Sequence, residues 1–354
     1  MSVNRYYALS IPGLEKVAWR EIQTRLKDVK LFGEDRGRLL FSYPGDPREL
    51  LFLRSVESLY VFVRNIKGVS RSRKSLGDVF RIVKSADLEA ASWLHKQAHR
   101  SKGKKKLTFK VTSSMLGRHN FRRVDLQKAV ESAIIARHGW TMDRRDPILE
   151  VRIDLEKEEA LLGLRITDEA MRQRAYKVVH LPASLKPTVA YCMALLSEPS
   201  PADVFVDPMC GAGTIVIERA MAGAYSRIIA GDVEETVVRA ARDNADASRK
   251  SIDLGLWDVS AVPLQNDSVD KVVCNLPFGK QTGSRSGNRV LYSHFFREMS
   301  RILKPGGKAV LLTTETELMR ELTRQYRAMH LRRYVKIDLL GLRACIYIID
   351  RMHF

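Results

Sequence analysis

Val204-Phe205-Val206-Asp207-Pro208-Met209-Cys210-Gly211-Ala212-Gly213-Thr214 is the stretch that decides the fold of the C-terminal half. Three apolar residues make a short buried strand, a glycine-bearing turn follows, and Gly213 to Ala222 continues as a helix. The pair then recurs: Arg227 to Ala230 with Glu234 to Ala247, followed by Val269 to Cys274, Leu291 to Leu303 and Lys308 to Leu312. Strands alternating with helices build a parallel sheet covered on both faces, a Rossmann-like α/β domain. The ending differs. Tyr334 to Leu340 and Leu342 to Ile349 are apolar strands separated by little more than Gly341, which permits an antiparallel hairpin at the sheet edge but no parallel crossover.

Ligands of such sheets bind at the carboxyl ends of the strands, where this turn lies. Gly211 and Gly213 carry no side chain, so a ligand can approach the backbone and the helix N-terminus. Asp207 ahead of them is poorly suited to a pyrophosphate and well suited to an ammonium group. Asp232 ends the next strand, 25 positions on, where an acid grips ribose hydroxyls. Asp258 follows the third candidate strand and could accept from an adenine amine. Ammonium, ribose hydroxyls and adenine amine are what S-adenosyl-L-methionine presents. Cys210, Thr214, Val233, Val259 and Asn275 complete the candidate cofactor contacts. Helix or turn capping accounts for Asp258 taken alone, but poorly for all three acids together with the glycines.

Upstream, Tyr6 to Leu9 reads as a strand, Pro12-Gly13 as a turn and Leu14 to Leu26 as a helix, with Leu14, Val17, Ala18, Ile22 and Leu26 on one face. Arg38 to Phe41 is a strand, Pro47 to Leu53 a helix, and Val61 to Ile66 a strand. Leu76 to Val83 and Leu88 to Ala98 read as helices, Leu107 to Val111 as a strand, and Val124 to His138 as a helix. Ile148 to Leu155 pairs with Ala160 to Leu164 as a hairpin. Residues 166–187 read as a linker ending in Leu185-Lys186-Pro187. The chain therefore divides into an α+β subdomain (1–62), a basic segment (63–165), the linker, and the α/β domain (188–354).

The 354 residues carry 60 Lys+Arg against 41 Asp+Glu, a net charge of +19. Residues 64–146 hold 21 basic and 7 acidic side chains, so most of the excess lies in one segment. Such a field suits a polyanion, because each neutralised phosphate releases a condensed counterion. A solvated basic surface is the plainer reading of any single lysine. No apolar run approaches the roughly 20 residues of a membrane span, and the first ten residues lack the pattern of a signal peptide. Four scattered cysteines without a CxxC pair argue against a disulfide scaffold or a zinc ribbon and favour a cytoplasmic setting. His119 and His294 have no partner spacing for a metal, and none is expected.

Asn275-Leu276-Pro277-Phe278-Gly279 follows the fourth strand, 68 residues after Asp207. An amine conjugated to a ring has a delocalised lone pair and is a poor nucleophile. The Asn275 side-chain oxygen and the Leu276 carbonyl can each accept one N–H, steering the nitrogen toward tetrahedral geometry. Pro277 removes a donor and stiffens the turn, and Phe278 offers a face for a base. The tetrapeptide resembles the (Asn/Asp)-Pro-Pro-(Tyr/Phe) signature of methyltransferases acting on exocyclic or amide amines. Leu276 replaces the first proline, which leaves the carbonyl unchanged.

The form Leu276-Pro277-Phe278-Gly279 narrows the resemblance to THUMP-domain tRNA guanine-N2 methyltransferases of the TrmN type. Pro12-Gly13-Leu14-Glu15 resembles the opening of that family's ferredoxin-like subdomain. Phe109 to Ile134, with Arg118-His119-Asn120-Phe121-Arg122-Arg123, resembles a THUMP domain. Arg172-Gln173-Arg174-Ala175-Tyr176 and His180 through Pro187-Thr188 resemble the joining linker. The resemblance implies a monomeric, S-adenosyl-L-methionine-dependent enzyme that holds the tRNA acceptor end and methylates guanosine N2 in the acceptor stem, at position 6. It places Asn275, Leu276, Pro277 and Phe278 at the chemistry.

Lys102, Lys104, Lys105, Lys106, Arg118, Arg122, Arg123, Arg172 and Arg174 are then candidates for phosphate contacts. Lys280, Arg285 and Arg289 would hold the backbone of an extruded nucleotide. The rivals are the same chemistry on ribosomal RNA or another tRNA position, an idle RNA-binding scaffold, and a nicotinamide dehydrogenase. The last is disfavoured because the first turn lacks the GxGxxG loop. Cys210 and Cys274 lack the Pro-Cys context of a cytosine-C5 nucleophile and read as small buried residues.

Overall fold

The computed structural model describes residues 4–99, 106–167, 171–182, 184–277, 285–339 and 341–353. Internal contacts separate two compact units, Met1–Leu9 with Glu21–Met171, and Ser10–Arg20 with Arg172–Phe354.

Through residue 165 the elements are β1 (Arg5–Ser10), α1 (Glu15–Arg25), β2 (Lys30–Asp35), β3 (Arg38–Ser42), a 3-10 turn (Pro47–Phe52), β4 (Val56–Lys67), α2 (Ser75–Lys84), α3 (Leu88–His99), β5 (Thr108–Leu116), α4 (Arg123–His138), β6 (Thr141–Met142), β7 (Leu149–Glu156) and β8 (Glu159–Arg165). One eight-stranded sheet takes them in the order β2-β3-β1-β4-β8-β7-β5-β6, and β4 itself spans residue 62. The expected β7–β8 hairpin is antiparallel and turns at Lys157, whose φ is 54°. β5 runs parallel to β7, with α4 in the crossover burying Leu126, Val130, Ala133 and Ile134. β2 was not expected. It is an edge strand with no fully buried residue, so it carries no apolar alternation to read.

The second unit continues with α5 (Pro187–Leu196), β9 (Val204–Asp207), α6 (Thr214–Ala222), β10 (Arg227–Asp232), α7 (Glu235–Ser248), β11 (Asp253–Leu256), a 3-10 turn (Val259–Ala261), β12 (Val269–Asn275), α8 (Arg285–Ile302), β13 (Leu303–Thr313), α9 (Thr316–Gln325), β14 (Met329–Leu339) and β15 (Leu342–Arg351). The sheet order is β11-β10-β9-β12-β13-β15-β14. The five strands from β11 to β13 are mutually parallel, and β15 and β14 add the antiparallel hairpin at the edge.

Both sheet faces are covered. On one, Val189 and Met193 of α5 and Ile215 and Val216 of α6 pack on Phe205, Ile346 and Ile348. On the other, Tyr292, Phe295 and Phe296 of α8 and Met319 of α9 pack on Val272, Leu311 and Tyr347. Each such side chain contributes about 1.5–3 kcal/mol. α5 was not expected as a helix. It is apolar on all sides and buried at nine of its ten positions, so it shows no amphipathic period, and its only punctuation is Pro187 at the first turn.

The Pro12-Gly13-Leu14 motif belongs to this second unit. Ile11 and Leu14 enter the first of its two cores, and the Asp338 N–H donates to the Pro12 carbonyl at 3.1 Å. Gly13 has φ +100°, and a Cβ there would stand 2.0 Å from the Lys336 carbonyl oxygen. Glycine is therefore required by both the backbone conformation and the close approach of β14.

Among the described residues, no helix is long and apolar enough to cross a membrane, and no group of three or more His, Cys, Asp or Glu could hold a metal.

Candidate active site

β9 ends on Asp207, and the loop to α6 turns through Gly211 (φ 53°) and Gly213 (φ 74°), both in the left-handed region. The Cys210 N–H donates to the Gly231 carbonyl at 2.9 Å, which fixes the loop against β10. Where a Cβ on Gly211 would stand there is no atom within 4 Å, so this backbone borders open space. At Gly213 it would meet Ala241 Cβ at 3.3 Å, so the second glycine serves close packing of α7.

Asp232 braces the same loop. Its Oδ2 accepts from Gly211 N–H at 3.0 Å, and its Oδ1 from Val233 N–H at 2.9 Å and Glu234 N–H at 3.4 Å. A carboxylate offers roughly four acceptor sites, which leaves capacity for a ligand hydroxyl. Val233 beside it is exposed, whereas Thr214 and Val259 are buried. Asp258 is exposed, and its side chain accepts from Ser260 N–H at 2.7 Å, capping the 3-10 turn. That backbone donor holds its carboxyl below the usual range.

At the ends of β9 and β12, Asp207 and Asn275 each carry a buried side-chain oxygen with no hydrogen-bond partner among the described residues. Asp207 is 1% exposed; Oδ1 accepts a long bond from Met209 N–H at 3.4 Å, the Cys274 thiol bears on the same carboxyl, and Oδ2 makes no hydrogen bond of good geometry among the described residues. Burial pushes its carboxyl up to about 8, against the pull of the Met209 N–H and the Cys274 thiol, with the Asp232 charge adding to the rise. Asn275, the last residue of β12, has a buried Oδ1 that likewise lacks a partner. Buried polar atoms without partners are rare and point to a ligand donor. Burial raises the Cys210 and Cys274 thiols well above their usual range, so both are neutral small side chains and poor nucleophiles.

The backbone after Asn275 is held from two sides. Leu276 is fully buried, and its N–H donates to the Leu312 carbonyl at 3.0 Å. The Tyr292 hydroxyl donates to the Pro277 carbonyl at 2.8 Å and lies 2.7 Å from Thr313 Oγ1, which accepts from Glu315 N–H at 3.0 Å. A tyrosine hydroxyl has one proton, so Thr313 donates to Tyr292 and Tyr292 to Pro277. Tyr292 was missed by sequence reading because its role depends on the return of α8 over the loop. Phe278 and Lys280 lie outside the described residues.

Three more supports were missed. Trp257 donates its indole N–H to the Pro208 carbonyl at 3.2 Å and lies flat enough on Gly231 and Gly255 that a Cβ at either would come within 2.5 Å of its ring. Asn244 of α7, fully buried, donates to the Ala212 carbonyl at 3.0 Å and pairs with both backbone groups of Val179. Glu218 of α6 receives Arg174 Nε at 3.1 Å and the Tyr176 hydroxyl at 2.8 Å. Segment 174–179 is thereby fastened to the two helices that carry the glycine loop. An unassigned linker pattern held no signal of these long-range partners.

This corrects one of the candidate RNA contacts. Arg174 is only 8% exposed and ion-paired with a fully buried carboxylate, so it is not available to phosphate. Arg172 is exposed, as are Lys106, Arg118, Arg122 and Arg123. Arg122 lies 3.6 Å from Asp125, and Arg123 donates to the Ser113 carbonyl at 3.1 Å. Arg118 lines a groove of about 790 Å³ in the first unit, shared with Arg38, Arg71 and Lys157 but also with Glu34, Asp35 and Glu158. That groove is mixed in charge. Lys102, Lys104 and Lys105 fall outside the described residues, as does the Arg285 side chain. Arg289 pairs with Glu321.

Residues 174–340 match the RMKL-like methyltransferase domain family, and residues 88–165 match the THUMP domain family. The chain is 35% identical over 263 residues to the mouse protein named tRNA (guanine(6)-N(2))-methyltransferase THUMP3, covering 69% of this chain and 51% of the relative. It is 33% identical over 215 residues to a Thermus thermophilus tRNA (guanine(6)-N2)-methyltransferase, covering 60% of this chain and 64% of that protein. It thus spans about half the length of the mammalian relative. The crystal structure of TrmN from Thermus thermophilus superposes with a TM-score of 0.81 at 25% identity, over 99% of this chain and 100% of the other. With a THUMP domain followed by an RMKL-like methyltransferase domain in one chain, this protein belongs to the THUMP-domain methyltransferase family of the TrmN type.

Proposed function

We propose that the second unit binds S-adenosyl-L-methionine and methylates the exocyclic N2 of a guanosine in tRNA, in the acceptor stem at position 6. The observation that carries the reading is the buried, unpartnered Oδ1 of Asn275 at the end of β12, on the same sheet edge as the unpartnered Oδ2 of Asp207. The residues fit the cofactor: Asp207 supplies an acceptor for an ammonium, Asp232 a remaining lone pair for ribose, and Gly211 a backbone open to approach. When bound, the cofactor supplies a methyl group activated on a sulfonium.

Asn275 Oδ1 and the Leu276 carbonyl accept the two N–H bonds of the guanine amine and direct its lone pair away from the ring. Tyr292 and Thr313 keep the Pro277 carbonyl in place, which fixes the direction of the preceding peptide. Alignment of this kind supplies much of the rate, because the bimolecular entropy is lost on binding. So held, the amine nitrogen would take the methyl group that the bound cofactor supplies, and its proton would pass to solvent. The names of the mouse and Thermus relatives support guanosine N2 of tRNA as the acceptor, and the basic segment 64–146 supports an RNA substrate.

Incubation with radiolabelled S-adenosyl-L-methionine and unmodified tRNA and ribosomal RNA transcripts, followed by nucleoside analysis and site mapping, tests this. N2-methylguanosine at one acceptor-stem position is the expected product. Label confined to ribosomal RNA would replace the substrate, and no label despite cofactor binding would overturn the activity.

A further inference from the structure

The hairpin edge of the second unit carries a feature the reaction does not use. Tyr334 of β14 is 51% exposed, although it is paired with Tyr347, which is 5% exposed. The two rings lie 5.9 Å apart, and Lys336 Nζ stands 6.0 Å from the Tyr334 ring centre. Strand alternation puts Tyr334, Lys336 and Asp338 on one face with Arg343 and Tyr347 of the neighbouring strand. α9 packs on that face, and the charge of its exposed Arg320 reaches the Tyr347 hydroxyl. Arg320, Lys336 and Arg343 are all exposed and have no ion-pair partner among the described residues.

The register connects this face to the catalytic loop. Asn275 pairs with Leu312, and the next position on β13, Thr313, pairs with Cys345, which pairs with Lys336. Lys336 therefore stands level with the turn after Asn275, three strand spacings away, roughly 14 Å at about 4.8 Å each. Tyr334 stands two pairs lower, and Arg343 two pairs higher. The backbone here is held by the Pro12-Gly13 turn, through the Asp338 N–H and the contact at Lys336. An exposed ring among unpaired cations is the combination that receives nucleic acid: every base has a face to stack, and each phosphate takes a cation. Charge alone would serve to keep an edge strand from pairing with another chain, but that purpose does not require an exposed tyrosine.

We propose that the Tyr334–Lys336–Arg343 face, with Arg320 of α9, seats the RNA strand flanking the methylated nucleotide. Tyr334 stacks on an exposed base, and the three cations take consecutive backbone phosphates. The inference rests on the proposed RNA methylation, and it assigns the substrate seat within the methyltransferase unit itself.

The full-length chain is tested with an unmodified tRNA transcript by filter binding across 50–200 mM salt, alongside single-turnover methylation and cofactor binding. Tyr334→Ala should weaken RNA binding about tenfold, while Tyr334→Phe keeps it, since the ring face is what stacks. The triple variant Arg320→Gln, Lys336→Gln, Arg343→Gln should reduce the slope of log affinity against log salt by about 2. Cofactor affinity should be unchanged in all of them. Wild-type RNA affinity and salt slope in both the alanine and the triple variant would overturn the proposal, even with methylation intact. If the wild-type chain binds tRNA but forms no N2-methylguanosine, the activity falls, and the same binding data still decide the seat.

Discussion

Asp207 should couple cofactor binding to the release of a proton. Its carboxyl is pushed up to about 8 by burial, from 3.8 in water. At about 1.36 kcal/mol per unit, the folded surroundings favour the neutral form by about 6 kcal/mol. A carboxyl with a folded value near 8 is about nine-tenths protonated at pH 7, so binding a ligand ammonium to the carboxylate should release about 0.8 proton per cofactor once the roughly 0.1 taken up by the ligand amine is counted. Ionisation at that pH costs about 1.4 kcal/mol, a factor of ten in affinity. Affinity should therefore rise nearly tenfold per pH unit from 5 to 7 and level near 8. Above that the ligand's own α-ammonium, of a type that titrates near 7.7–8.0, loses its proton and affinity falls.

The stability sign is opposite. Because the folded value is raised, this residue's contribution is fully present below pH 3.8 and is lost as pH climbs through about 8. Isothermal titration of S-adenosyl-L-methionine in buffers of differing ionisation heat counts the proton directly. Asp207→Asn should bind at least about tenfold more weakly at pH 8, release almost no proton, and exceed the wild type in thermal stability at pH 9. Proton release below about 0.3 at pH 7 in the wild type, or an identical pH profile in the variant, would refute the reasoning.

Asn275→Ala should abolish methyl transfer while cofactor affinity stays within a few-fold, measured by single-turnover rate and titration; wild-type turnover would sink the role of its oxygen. Tyr292→Phe removes the donor to the Pro277 carbonyl, and its kcat should fall about tenfold with little change in cofactor Kd. Gly13→Ala forces a Cβ into the Lys336 carbonyl at a φ of +100° and should cost about 3 kcal/mol, seen as a Tm drop of about 6–12 °C for the second unit. Arg174→Met leaves Glu218 buried without its cation and should destabilise by about 3–5 kcal/mol in denaturant titration, whereas Arg172→Met at its exposed neighbour should be nearly neutral.

The sequence by itself determined the alternating strands and helices of the second unit, the hairpin after them, and the two loops that bear the chemistry. These are local properties. A buried parallel strand is a short apolar run, a tight loop needs glycine at a positive φ, and a one-residue connection can only make an antiparallel pair. The concentration of positive charge in residues 64–146 was equally plain, because charge needs no partner to be counted.

Tertiary structure decided whatever depends on a partner far along the chain. Asp232 and Asp258 look alike in sequence, yet one braces the glycine loop and the other caps an exposed turn. Arg174 resembled Arg172 until Glu218 buried it. Pro12-Gly13-Leu14 looked like the start of the first subdomain and instead closes on β14, more than three hundred residues away. α5 and β2 escaped because periodicity reports a boundary between core and solvent: α5 is surrounded by core, and β2 barely touches it. The raised carboxyl of Asp207 likewise comes from burial, which the sheet and its covering helices impose only once they have assembled.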